Sequence, residues 1–211
     1  MATHLLYGTK RAGSAAIELA LRRCDIPYRL VNAASWKPQS ALGELAKANP
    51  LHQVPTLVLP NSQVLTESAA ILIHLGLTNP KSGLLARRAG PRAQQIRGLV
   101  FIAANCYSAI SINDYPGRWT TTTSAAERLK VSEGARRQLH RNWENFADTF
   151  PATPYLTGRE PGALDYLAAV VTKWSGTRSH MAKTRPRFRQ TLLSIEKHKS
   201  AVEVFKDHWG K

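Results

Sequence analysis

The chain has 211 residues, 43% of them apolar and 20% charged, enough to bury one large core or two small ones. It has no unbroken apolar run of about 18 residues, no basic stretch leading into an apolar segment at its start, and only two widely separated cysteines. These features argue against a membrane span, a secretory leader, a disulfide framework and a cysteine metal site, and a reducing cytoplasm is the expected compartment. The formal net charge is +15, divided as +3 over residues 1–79 and +12 over residues 80–211. Such a balance attracts anions in general. The one run that interleaves arginines with an aromatic, TRPRFRQ at 184–190, is only seven residues long. Nucleic acid is therefore not an expected partner, and a solvated basic surface is.

In chain order, HLLYG (4–8) is a short apolar run closed by glycine and reads as a buried strand. GSAAIELALRRC (13–24) follows with helical periodicity, Ser14 standing at its N-cap or in its first turn. PYRLVNA (27–33) reads as a second strand and SALGELAKA (40–48) as a short helix capped by Ser40. PTLVL (55–59) and QVLT (63–66) flank a Pro-Asn-Ser turn and read as a hairpin. ESAAILIHLG (67–76) reads as a helix stopped by Gly76. The expected order is thus βαβαββα within residues 1–78. Residues 79–90 are polar and rich in Pro and Gly, as a linker would be. From 91 to 211 the strand signals nearly vanish. Long helical patterns occupy 91–113, 123–150, 162–175, 185–198 and 200–209, with Glu127 three residues after Ser124 as in a capping box. The expected architecture is a small α/β domain followed by an all-α domain.

Several positions carry possible chemistry. Pro55 stands at the mouth of a strand, where an imino acid fits because it donates nothing to a ladder. Were its peptide bond cis, Val54 could offer its N–H and C=O to a peptide-like ligand. Glu67 and Ser68 open a helix, whose free N–H groups can hold a carboxylate while Glu67 meets an ammonium group. Ser14, behind the loop GTKRAG (8–13), could steady an anion such as a thiolate, and Thr9 offers a second hydroxyl nearby. Gln53, His52 and Lys37 lie in loops from which they could reach a ligand. Phe101, Tyr107, Tyr115 and Trp119 are either core or the lining of an apolar pocket. Cys24 and Cys106 read as packing residues. The seven histidines have no metal-ligand spacing, so no metal is expected.

Taken together, these stretches resemble the glutathione S-transferase superfamily, in the form of its bacterial members. NPLHQVPTLVLPNSQVLTESAAILIHL (49–75) is similar to the family's run of Asn-Pro, Val-Pro-Thr-Leu, hairpin and Glu-Ser before a helix. LLYGTKRAGSAAIELALRRCDIPYRLV (5–31) resembles its first βαβ segment. RGLVFIAANCYSAISINDYPGRW (97–119) resembles its long first helix of the all-α domain, and YLTGREPGALDYLAA (155–169) its later helix with a buried Asp. The resemblance implies a thioredoxin-like first domain, an all-α second domain and a homodimer. It implies glutathione as co-substrate, with Pro55 as the cis-proline and Val54 on the cysteinyl unit. Glu67 and Ser68 would hold the γ-glutamyl end, with Gln53, Lys37 and His52 toward the rest. It implies attack of the thiol on an apolar electrophile held against the second domain, or the isomerase, dehalogenase or peroxidase chemistry of the same fold, or a non-catalytic binding role. Ser14 matches the start of the first helix, where the thiol is activated, while Gly13 stands where some bacterial members have cysteine. Gly162 replaces the usual hydroxyl cap three residues before Asp165.

Overall fold

A computed structural model describes residues 3–34, 37 and 39–210. Four strands, β1 (His4–Gly8), β2 (Tyr28–Asn32), β3 (Thr56–Val58) and β4 (Val64–Leu65), form one sheet in the order β2-β1-β3-β4. β1 and β2 are parallel, joined by helix α1 (Ser14–Arg23), while β3 runs antiparallel to β1 and pairs with β4 as a hairpin. The parallel pair needs a crossover longer than a turn, and the apolar stripe of α1 supplies it with its own cover for the sheet. Helix α2 (Leu42–Ala48) follows β2, and α3 (Ser68–Thr78) follows the hairpin. This is the thioredoxin-like arrangement expected from the sequence.

Several boundaries differ from expectation: the helix Ala89–Phe101 begins inside the expected linker, the helix that opens at Ala163 ends at Val171, and two further cases have a visible cause. Ser40 does not cap α2; its hydroxyl donates to the Ala34 carbonyl at 2.8 Å, and the helix begins two residues later. Gly76 does not stop α3, which continues to Thr78. A Cβ there would lie 2.6 Å from Leu85, so this glycine lets the following segment lie against the helix.

The second half is helical. A single rod comprises α4 (Ala89–Phe101), a π-helical stretch (Ile102–Tyr107) and α5 (Ser108–Asp114). Helices α6 (Ala125–Thr149), α7 (Ala163–Val171), α8 (Thr177–Thr184), α9 (Pro186–Lys197) and α10 (Val202–Trp209) follow. The separate α8 was not expected; Gly176, at φ +74, breaks the pattern that otherwise runs on from α7. By length and composition the rod 89–114 could cross a bilayer. In the fold its apolar residues Leu99, Ile102, Cys106, Ala109 and Ile110 are buried in the protein core instead.

That core is continuous between the halves. Leu6, Ile17, Ile71 and Leu72 from the sheet layer belong to one cluster with Leu99, Trp143, Phe146, Leu164 and Leu167. Helix α1 packs on α7 and α10, and α3 packs on α4 and α7. Asp165, fully buried in α7, accepts the amides of Leu156, Thr157 and Gly162 at 2.8, 2.9 and 3.1 Å. Gly162 is explained by space as well as by capping. A Cβ there would lie 2.7 Å from the Leu84 carbonyl oxygen, which accepts from the Ala163 amide.

Candidate ligand site at the end of the central strands

In an α/β sheet, ligands collect where strands end and helices begin, because free N–H groups point there. Here β1 ends at Gly8 and feeds α1, and Tyr7 of β1 pairs with Thr56 at the start of β3. The hairpin then returns the chain to the N-terminus of α3. Gly13 marks the meeting point. A Cβ on Gly13 would lie 3.5 Å from Pro55 Cδ and 3.5 Å from Ser68 Oγ. The first helix, the proline and the third helix therefore share one edge, as the spacing of the sequence motifs implied.

The Val54–Pro55 peptide bond is cis. Pro55 is buried and Val54 half-buried, and among the described residues no hydrogen bond engages the Val54 amide or carbonyl. The loop that presents them is fixed from within. Buried Asn49 donates from Nδ2 to the Gln53 carbonyl at 3.1 Å and to Thr56 Oγ1 at 3.0 Å. Its Oδ1 accepts from the Leu51 amide at 3.0 Å, and Thr56 Oγ1 donates to the Gln53 carbonyl at 2.8 Å. Asn49 was read from the sequence only as part of a motif. Its role as the clamp of the Val54 loop shows only in these hydrogen bonds.

Ser68 is buried as the first residue of α3. Glu67, before it, is exposed and has φ +64, an unfavourable region for a non-glycine residue. His52 (φ +54) and Arg11 (φ +63) share that strain on the loops flanking the same edge. His52, Gln53 and Lys37 are exposed.

Ser14 is bonded within the fold. Its hydroxyl is fully buried and donates to the Thr9 carbonyl at 3.1 Å while accepting from the Thr9 amide at 3.1 Å. It closes the β1–α1 loop from inside. Gly8 makes room for it, since a Cβ at Gly8 would lie 2.5 Å from Ser14 Cβ. Thr9 is itself buried. The next loop residues are pinned from the far end of the chain. The Arg11 amide donates to His208 Nδ1 at 3.1 Å, and the Arg11 carbonyl accepts from Trp174 Nε1 at 3.2 Å. His208 Nε2 in turn meets buried Glu18 of α1 at 2.8 Å. Nothing local in the sequence signals these ties, because they span 163 to 197 residues.

The four aromatic candidates separate. Phe101 is taken up by the core, its ring 5.8 Å from that of Phe146 and 6.3 Å from that of Phe150. Tyr115 and Trp119 are exposed, and the Arg118 guanidinium lies 4.2 Å over the Tyr115 ring. Only Tyr107 reaches the edge described above. Its hydroxyl oxygen lies 2.6 Å from the position a Gly13 Cβ would take. That oxygen is buried and makes no hydrogen bond of good geometry among the described residues. Burial pushes its pKa up to about 12, against the opposing pull of the nearby Ser68 hydroxyl. Both cysteines are free, and burial pushes both thiols up, Cys106 the more strongly. Among the described residues no group of three His, Cys, Asp or Glu side chains could hold a metal.

Comparison with known proteins agrees with this layout. The sequence profile of the glutathione S-transferase N-terminal domain matches residues 14–77. An uncharacterised GST-like protein of Escherichia coli K12, YncG, is 36% identical over 172 residues, covering 80% of each chain. In fold, the chain is similar to a glutathione transferase homologue from Sulfitobacter solved with bound glutathione, with a TM-score of 0.84 at 20% identity over 98% of this chain and 99% of the other. It is also similar to BphK, a bacterial GST solved as a ternary complex, with a TM-score of 0.79 at 21% identity over 97% and 98% of the two chains.

Proposed function

The chain belongs to the glutathione S-transferase superfamily, and on that footing we propose that it is a glutathione transferase that binds the tripeptide along the Val54–Ser68 edge and activates its thiol. The observation that carries this reading is the free backbone of Val54 beside Pro55, with buried Ser68 at the start of an eleven-residue helix on the same edge. An extended peptide pairs with such a backbone as an added strand. The α3 N-terminus and Ser68 receive the γ-glutamyl carboxylate, and exposed Glu67 meets the ammonium group on the same carbon. Gln53, His52 and Lys37 flank the remaining residues of the tripeptide. The structure of the Sulfitobacter homologue with glutathione supports the choice of ligand.

Residues 1–78 form the tripeptide-binding unit, and residues 91–211 hold the electrophile. Tyr107 lies on the rod and Tyr115 just past its end, where the chain leaves the helix. Trp119 follows in the turn beyond. In the reaction the thiol proton passes to solvent, and the thiolate sulfur forms a bond to the electrophilic carbon. The leaving group departs with its bonding pair. A bound thiol near neutral pH needs stabilisation of its charged form, which the N-termini of α1 and α3 favour. The two free thiols fit a reducing cytoplasm, and the active form is a homodimer.

A second reading is favoured by one observation. The loop Lys10-Arg11-Ala12-Gly13 presents no hydroxyl or thiol of its own, and Ser14 is committed to Thr9. A protein that binds glutathione without turnover would need none. Titration calorimetry with glutathione, combined with turnover of a generic aryl halide, separates the two. Binding with turnover supports the transferase, and binding alone supports the module. No saturable binding would defeat both.

A further inference from the structure

We propose that Tyr107, from the helical half, is the catalytic hydroxyl that donates a hydrogen bond to the glutathione sulfur in this protein. The proposal rests on the tripeptide-binding reading above and adds the group that acts on the thiol. The resemblance places that group at the start of α1, where Ser14 is bonded to the Thr9 backbone. In this chain the loop before it offers Gly13, and the Tyr107 hydroxyl occupies the space a side chain on residue 13 would fill.

Three observations converge on this assignment. First, the Tyr107 hydroxyl is buried, makes no hydrogen bond of good geometry among the described residues although the Ser68 hydroxyl is near it, and faces Gly13 beside Pro55 and Ser68. A buried unpaired hydroxyl costs about 1 to 3 kcal/mol, so its retention calls for a partner that arrives with a ligand. Second, Tyr107 ends a π-helical stretch within an otherwise α-helical rod. One wider turn rotates the residues at its end relative to the α-helical register, and such turns recur at functional sites. The wide turn is supported by Asn142, whose Nδ2 donates to the Asn105 carbonyl at 2.9 Å. Third, the ring is held. It lies 6.0 Å from the Trp174 ring, and Trp174 Nε1 donates to the Arg11 carbonyl of the loop that leads into Gly13. The hydroxyl and the loop are thus positioned by one intermediary.

The protonation state suits a donor. With its pKa pushed up to about 12, the phenol keeps its proton at neutral pH and can give a hydrogen bond to a thiolate. It does not act as the base. A hydrogen bond to the charged form lowers the thiol's pKa, since the neutral thiol gains less from it.

The test compares wild type with Tyr107→Phe, which keeps the ring against Trp174 and removes only the oxygen. The pKa of bound glutathione is read from thiolate absorbance against pH, and affinity is read with S-methylglutathione, which fills the tripeptide site without an ionisable thiol. The expected result is a bound-thiol pKa higher by about 1 to 2 in the variant, with S-methylglutathione affinity unchanged within about twofold. An equal thiol pKa in the two proteins, with S-methylglutathione bound equally, would overturn the assignment while leaving the tripeptide site intact. Failure of wild type to bind either ligand would overturn the tripeptide reading itself, and this assignment with it.

Discussion

The Tyr107 hydroxyl stands where a side chain on Gly13 would stand, 2.6 Å from the position of the missing Cβ. One residue comes from the rod of the helical half and the other from the turn into α1. Their closeness makes the edge of the sheet a joint product of both halves, and it makes several substitutions informative.

Gly13→Ala is expected to disturb Tyr107. Gly13 has φ −60, so the backbone tolerates alanine, and the cost is the clash alone. The phenol is rigid and its ring is braced by Trp174. Overpacking of this kind costs about 1 to 3 kcal/mol. Urea denaturation should show that loss, and the Tyr107 environment should change in near-ultraviolet circular dichroism. An unchanged midpoint and spectrum would mean the hydroxyl yields freely.

Ser14→Ala is expected to weaken the fold more than the chemistry. The change removes a hydroxyl that both donates to and accepts from the Thr9 backbone, leaving the buried Thr9 amide unpaired and the Thr9 carbonyl with only the Ala12 amide at 3.4 Å. A loss of about 1 to 3 kcal/mol follows. The pH–rate profile of the surviving enzyme should keep its wild-type inflection. A shifted inflection would return Ser14 to the role that its place in the sequence implied.

His208→Ala is expected to destabilise strongly and to loosen the α1 loop. Glu18 would keep Tyr28 as a partner at 3.2 Å but lose His208, and the Arg11 amide would lose its acceptor. With Nδ1 accepting from the Arg11 amide, the neutral ring donates from Nε2 to the Glu18 carboxylate, and leaving that buried carboxylate without this donor costs at least about 1 to 3 kcal/mol. Hydrogen exchange should show the Arg11 amide opening faster relative to the rest of α1. Uniform acceleration would mean that the tie is only global.

Acid is expected to destabilise the protein partly through His140. Burial lowers its pKa in the folded state, opposed by the hydrogen bond to the Ser175 carbonyl. Below the unfolded-state value the unfolded chain then binds more protons than the native one. Stability therefore falls as pH drops through that value and levels off below the folded pKa. Melting temperatures from about pH 7.5 down to about 5 should fall less steeply for His140→Gln than for wild type. Parallel curves would remove His140 from the acid response.

The fold was legible because its cues are local. Alternating or continuous apolar runs, the Pro-Asn-Ser turn and the Ser124 cap are written within a few residues of where they act, and Ser124 does accept from the Glu127 amide. The convergence of Pro55 and Ser68 was legible for the same reason, since one hairpin joins them. The reactive corner was not. Ser14 looks like a surface cap in sequence, and only the position of Thr9 shows that it turns inward. Tyr107 could be core or pocket until the π-helical turn and Trp174 fixed its direction. Phe101, on the same rod, went to the core because Phe146 and Phe150 meet it there. Such outcomes depend on contacts across tens of residues, which periodicity does not encode.

The central claim is that the Val54–Ser68 edge holds glutathione. Calorimetric titration of glutathione into wild type and Ser68→Ala tests it directly. Wild type should bind saturably, and the variant should bind about tenfold more weakly or worse, because a hydrogen bond to a carboxylate is lost. Absence of saturable binding to wild type, or equal affinity in the two proteins, would contradict it.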